Sequence, residues 1–199
     1  MARREYDMTG RSEVAARTRE RLIQAAREGF FARRYDDVTL ADLASAAGVS
    51  VQTLLNHFGS KEGLLLSSVE AMDDAVADLR GPVEPGDVGG AVAALVRHYE
   101  VFGDANWRFV ADLDRHPRFE DFAAHARDAQ RAWLEQVFGP RLPAEAGERA
   151  LALDALYAAT DVGTWKLLRR DLGLDAERTG EALRRLIVGQ LDQQEGTEG

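Results

Sequence analysis

Twenty residues from Thr39 to Phe58 constrain this chain more than any other stretch. Leu40, Leu43, Ala44 and Ala47 recur at helical spacing behind Thr39, whose hydroxyl can cap a helix start, and Gly48 supplies the residue able to take positive φ where that helix ends. Ser50 can cap a second helix two residues later. Ala44 keeps the side chain small where the two helices cross, and Val49 and Leu54 are placed to fill the wedge between them. Two short helices joined this way form a helix-turn-helix, whose second helix usually lies in the major groove of DNA.

The flanks extend the motif into a small domain over 17–66. From Arg17 to Arg33, Leu22, Ala26, Gly29 and Phe30 share one helical face, with Ile23 and Phe31 beside it and Thr18 as a cap. Tyr35 to Val38 is a short connection, and Val38 is expected to close the core. Ser60 then caps a longer helix, expected from Lys61 to about Leu79, that leaves the head. Residues 1–16 mix Arg3, Arg4 and Arg11 with Glu5, Asp7 and Glu13 and keep no apolar period, so a mobile arm is expected. Such an arm can reach phosphate or a minor groove, although a solvated tail is the plainer reading.

Charge separates head from body. The chain carries a net charge of −9, but residues 1–66 hold ten Lys/Arg against nine Asp/Glu, and the remainder carries the whole acidic excess. That distribution excludes a general nucleic-acid binder and permits contact with DNA at one end. The absence of cysteine removes disulfides, thiolate metal sites and thiol nucleophiles, and suits a reducing cytoplasm, where the protein is expected. No apolar run approaches the roughly 18 residues of a membrane span, so no membrane partner is expected.

The body, 67–199, reads as a helical bundle. Residues 80–90, with two prolines and four glycines, break the pattern and lack the spacing of a phosphate loop. Helices are expected over 91–102, 106–115 and 117–138. A long, apolar one follows over 144–171, closed by Gly173, then an amphipathic one over 175–193 and a loose tail over 194–199. Aromatic residues aside, Asp154, Thr160, Asp161 and Thr164 are the only polar side chains between Ala150 and Trp165. A helix apolar nearly all round must be covered on more than one side. Strand-like alternation and internal repeats are absent, so the fold class is all-α: an N-terminal three-helix helix-turn-helix DNA-binding domain and a C-terminal helical ligand-binding and dimerisation bundle.

Site candidates fall in both parts. On the second helix of the motif, Gln52 and Asn56 can each pair with adenine, and Thr53 or Leu55 can touch a thymine methyl. Val51 lies near the helix start, where base contacts concentrate. Thr39, Ser50 and His57 can meet phosphate. Lys61 sits in the first turn of its helix, where a cation opposes the dipole, so it needs a partner such as phosphate. In the body, Tyr99, Phe102, Trp107, Phe122, Trp133, Tyr157 and Trp165 are candidate walls of a ligand pocket, and Asp161 its polar anchor, with ordinary core roles as the alternative. Asp112 and His116 stand four apart, but two ligands do not make a metal site. No metal, cofactor or catalytic set is expected.

The head resembles the DNA-binding domain of the TetR family of one-component transcriptional regulators. The resemblance rests on Ala25, Ala26, Phe30, Tyr35, Val38, Thr39, Leu43, Ala44, Ala47 to Ser50, Leu54, His57, Phe58, Ser60 to Glu62 and Leu64. In the body, the segment from Trp165 to Gly173 is similar to that of some members. The resemblance implies a homodimer that binds a palindromic operator on double-stranded DNA and usually represses until a small-molecule effector releases it. The expected dimer surface is Leu156, Ala159, Gly163, Leu167, Leu183, Leu186 and Ile187. Two residues depart from the family pattern: Leu55 stands where Tyr is common, and Arg34 where Gly is common. The rival readings are a helical ligand-binding or enzymatic protein with a vestigial head, and an activator or ligand-independent regulator.

Overall fold

The computed structural model describes residues 2–191, with side chains described over 12–191 apart from positions 73, 74, 114 and 118. Among the described residues every regular element is helical. The chain divides into two compact units, one ending at Ala75 and the other starting at Val76. The first unit extends past Leu66 because the helix begun by Lys61 packs along the first helix and buries Leu64, Leu65 and Ser68.

The first unit holds α1 (Ala2–Ala32), α2 (Leu40–Ala46), α3 (Val51–Phe58) and α4 (Lys61–Glu70). Leu22, Ala25, Ala26, Val38, Leu43, Ala44, Ala47, Leu54 and Leu64 form its core, with Phe30, Leu40, Val49 and Phe58 at the edge. Burial of this small set is what holds α2 and α3, neither long enough to be stable alone. The backbone over 2–16, expected as an arm, is helical and continuous with α1. The helix expected over 61–79 is broken after Glu70: the N–H of Ala71 reaches the carbonyls of Ser67 and Val69, and α5 (Asp73–Arg80) starts anew.

The second unit is built from α6 (Val88–Asp112), α7 (Glu120–Phe138), α8 (Ala146–Thr160), α9 (Val162–Lys166) and α10 (Ala176–Leu191). The connection after α5 behaves as its composition dictates: Gly81 and Gly86 take φ of 66° and 86°, and the Asp87 carboxylate caps α6 by accepting from the Gly90 N–H at 2.9 Å. Helix α6 packs on α10 and α9, and α8 lies against α7 and α10. Leu95, Tyr99, Leu134, Phe138, Leu156, Trp165 and Ile187 are among the core residues between them.

Two expectations about the body are overturned. The pair of helices expected over 91–102 and 106–115 is one continuous α6. Gly103 does not interrupt it; a Cβ there would lie 2.4 Å from Cζ3 of Trp165, so the missing side chain seats the indole. Conversely, the single helix expected over 144–171 is cut at Asp161, which has extended backbone (φ −69°, ψ 152°). Three of the four polar side chains there, all but Asp154, serve the break. Thr160 Oγ1 donates to the Leu156 carbonyl at 2.8 Å, Thr164 Oγ1 to that of Ala158 at 2.6 Å, and Asp161 Oδ1 accepts from the Gly163 N–H at 2.7 Å. A π-helical turn, Leu167–Asp171, follows α9, and Gly173 closes it with φ 68°. Two bidentate ion pairs, Arg169 with Glu100 and Arg170 with Asp104, tie that turn to α6. The tail expected to be loose, 194–199, lies outside the described residues.

Candidate functional site

The turn of the helix-turn-helix forms as its residues require. Gly48 takes φ 66°, its N–H reaches the Ser45 carbonyl at 3.0 Å, and the Val49 N–H reaches that of Ala44 at 2.9 Å. Thr39 and Asp42 make a reciprocal capping box at the start of α2, and Arg33 Nη1 lies 3.2 Å from the Asp42 carboxylate. The backbone and hydroxyl of Thr39, with Arg33, hold that carboxyl below its usual range. Arg34 has φ −65°, so the chain there does not need the glycine that the family commonly has.

Helix α3 divides into an inner and an outer side. Leu54 is fully enclosed and Phe58 packs on the head core, with the Arg19 guanidinium 5.3 Å from its ring centroid. Val51 is 37% exposed, and Gln52 and Asn56 are exposed. Thr53, Leu55 and His57 are half-buried. Leu55 therefore neither enters the core nor stands free. Gln52 Nε2 donates to Asn56 Oδ1 at 2.9 Å. That bond leaves each amide at least one carbonyl lone pair and at least one N–H, the acceptor and donor needed to read an adenine edge, while restricting the rotamers of both.

The other polar candidates are engaged within the head. Ser50 Oγ caps α3 by accepting from the Thr53 N–H at 3.1 Å, and the two hydroxyls lie 2.9 Å apart. Lys61, expected to need a partner such as phosphate, has one within the head: its ammonium donates to the Tyr35 carbonyl and sits 3.9 Å from the centroid of the Tyr35 ring. Partial burial lowers its pKa. Gly63, which the sequence did not single out, lets this junction close, because a Cβ there would lie 2.2 Å from the carbonyl oxygen of Phe58.

In the second unit the eight effector candidates do not form one wall. Tyr99 and Trp165 are buried in the core, with Trp107, Trp133 and Tyr157 packed against it. Phe102 is buried beside His98, and Phe122 stands edge-on to Phe109 away from that cluster. Asp161 caps α9 through Oδ1. The interior instead holds a polar chain that the aromatic pattern gave no reason to expect. Arg80 Nη2 donates to Gln130 Oε1 at 2.9 Å, Gln130 Nε2 to Thr160 Oγ1 at 3.2 Å, and the Tyr99 hydroxyl to the Thr160 carbonyl at 2.7 Å. The Arg80 guanidinium lies 4.8 Å from the centroid of Trp133. Only the want of an acidic residue three or four positions before Arg80 hinted at this, and a cation at a helix C-terminus is ordinary.

Burial also corrects the expected dimer surface. Leu156, Leu183 and Ile187 have no exposed surface and Ala159 is buried, so their own protomer consumes them. Gly163 is half-buried, while Leu167 and Leu186 are 50% and 41% exposed.

A trihelical head with a capped, outward-facing second motif helix, followed by a separate helical bundle, defines a helix-turn-helix protein of the DNA-binding regulator class. Residues 22–67 match the family described as bacterial regulatory proteins, tetR family. The chain is 31% identical to the HTH-type transcriptional repressor Rv3405c of Mycobacterium tuberculosis over 180 residues, 88% of this chain and 86% of that one. It is 38% identical to the HTH-type transcriptional regulator TcmR of Streptomyces glaucescens over 65 residues, only 33% of this chain and 29% of that one. A crystal structure of a TetR-family transcriptional regulator from Mesorhizobium loti shares the fold, with a TM-score of 0.62, 19% identity, and 89% of this chain and 96% of that one covered. The chain belongs to the TetR family of transcriptional regulators. Among the described residues, no helix is long and apolar enough to cross a membrane.

Proposed function

We propose that the chain is a repressor that binds a palindromic operator as a homodimer and is released by a small-molecule effector, acting by binding rather than by catalysis. One observation carries the reading: α3 keeps Val51 and the coupled amides Gln52 and Asn56 at the surface while Leu54 and Phe58 anchor the same helix in the head core. A rigid helix with amide-bearing outer positions suits direct readout in a major groove. Thr39 and Ser50, exposed at the starts of α2 and α3, and the half-buried His57 meet phosphate in this reading. Two such heads held about 34–36 Å apart fit successive major grooves on one face of the duplex. The second copy docks on the outer side of α8 and α10, which lie side by side and leave Leu151, Ala158, Leu186 and Gly189 at least partly exposed. An effector in the bundle shifts the head spacing through its differential affinity for two states.

Selection of bound sequences from random duplexes at a stated salt concentration tests this directly. The expected result is an enriched palindrome. Gln52→Ala with Asn56→Ala should erase the sequence preference, at about 1–3 kcal/mol for each bidentate amide–adenine pair removed, while leaving the dimer and the salt dependence intact. Failure to enrich any sequence refutes the proposal.

A further inference from the structure

Helix α3 carries four polar side chains, Gln52, Thr53, Asn56 and His57. Two of them are turned partly inward. Thr53 and His57 are half-buried, with the Thr53 hydroxyl 2.9 Å from that of Ser50 and the His57 ring 6.1 Å from that of Phe58 between centroids. Gln52 and Asn56 are exposed, and Val51 and Leu55, which precede them in the chain, bring no hydrogen-bonding side chain. The exposed hydrogen-bonding side chains of α3 are therefore two amides, one helical turn apart on the same face.

These two amides are joined to each other. Gln52 Nε2 donates to Asn56 Oδ1 at 2.9 Å. Turning both amides over exchanges donor and acceptor and keeps the bond, so the link does not depend on which residue donates. A long amide on an open helix surface otherwise loses rotamers only when it docks on a base, and that ordering opposes binding. The cost falls on the cognate base, where the amide must be held, and not on a wrong base, where it stays free. An amide ordered in advance by its neighbour therefore discriminates more sharply, by about two- to tenfold for one immobilised side chain. Residues that share a hydrogen bond are also those whose effects on binding are not additive.

Resting on the operator reading above, we infer that Gln52 and Asn56 read neighbouring base pairs as one unit, each amide positioning the other. The recognised element is a short word rather than a set of independent letters. Preference at the base pair that Gln52 contacts is then set in part by Asn56, a residue that acts there only through Gln52.

The test uses the full chain, the duplex it selects from random sequence and every single base change in that duplex, compared by competition binding at one salt concentration. Gln52→Ala identifies the Gln52 base pair as the position whose preference it abolishes. Asn56→Ala should erase its own preference and also lower that at the Gln52 base pair by about two- to tenfold. Asn56→Asp separates the bond from the mere presence of a side chain. Its carboxylate still accepts from Gln52 Nε2 but has no N–H for a base, and its charge weakens binding to all duplexes alike. Preference at the Gln52 base pair should therefore stay within about twofold of wild type in Asn56→Asp. Position 56 is exposed, so both variants fold. The inference is overturned if Asn56→Ala leaves the Gln52 base pair discriminated as in wild type, or if Asn56→Asp loses that discrimination as fully as Asn56→Ala. Either result leaves the regulator reading intact, whereas a wild-type protein that enriches no sequence refutes that reading and this inference with it.

Discussion

Replacing Gly103 with alanine sets two physical effects against each other with opposite signs. By backbone propensity alone the change should stabilise α6 by about 1 kcal/mol, because glycine inside a helix carries the largest conformational entropy cost. Packing argues the reverse. The added Cβ would lie 2.4, 2.5 and 2.8 Å from Cζ3, Cη2 and Cε3 of Trp165, and that indole has no exposed surface into which to retreat. Its neighbours are fixed too, with Tyr99 at 5.7 Å between ring centroids and the Arg170 guanidinium, itself paired with Asp104, 4.8 Å above the ring. Overpacking of a rigid site costs about 1–3 kcal/mol, and an approach this close belongs at the upper end. The net expectation is a loss of about 1–2 kcal/mol after the propensity gain is subtracted, or a fall of about 3–8 °C in melting temperature for a unit of this size. Thermal denaturation at fixed protein concentration measures it, with Trp165→Leu as the second arm. Removing the indole's six-membered ring should make Gly103→Ala neutral or stabilising in that background, giving a coupling of about 1–3 kcal/mol in the double-mutant cycle. A Gly103→Ala protein that melts above wild type refutes the packing argument.

Three further outcomes follow from the structure. Leu186→Asp should leave the protomer folded and disrupt self-association measured by sedimentation, whereas Ile187→Asp, one position away but with no exposed surface, should prevent folding by burying an unpaired carboxylate. Lys61→Met should lower the stability of the head by about 1 kcal/mol by removing its bond to the Tyr35 carbonyl, and should leave the salt slope of duplex binding unchanged because the ammonium is not spent on phosphate. Folding stability should decline as pH falls from about 6.5 toward 4.5, losing about 2 kcal/mol: the His98 pKa is depressed to about 3 in the folded state, so over this window only the unfolded chain takes up the proton. His98→Leu should flatten that decline in denaturant titrations; an unchanged slope assigns it to other groups.

The head was legible in the sequence because its signals are local. Thr39, Gly48 and Ser50 act on backbone within three residues of themselves, and each does so in the structure. Lys61 shows where that locality ends. Its position against the helix dipole correctly demanded a partner, but Tyr35 lies 26 positions away and the partner was out of reach. The dimer surface failed for a related reason. Periodicity gives the apolar positions of α8 and α10 without showing which are consumed by the chain itself, so Leu156, Leu183 and Ile187 could not be told from Leu186.

The body was misread at two places, the gap left between 102 and 106 and the polar Asp161 in an apolar run, and the two errors share a cause, since sequence assigns each residue to its own helix. In the fold they belong to one arrangement. Asp161 ends one helix and caps the next, and the short α9 that results delivers Trp165 onto α6 at Gly103, where no Cβ stands in its way. The same break leaves the Thr160 carbonyl available to the Tyr99 hydroxyl, and the Thr160 side chain reachable by Gln130, which in turn holds Arg80. The interruption of α8 thus builds the polar chain that ends on Arg80. Chemistry in this bundle is set by where a helix stops, a property fixed by long-range packing and legible only once α6, α7 and α8 are brought together.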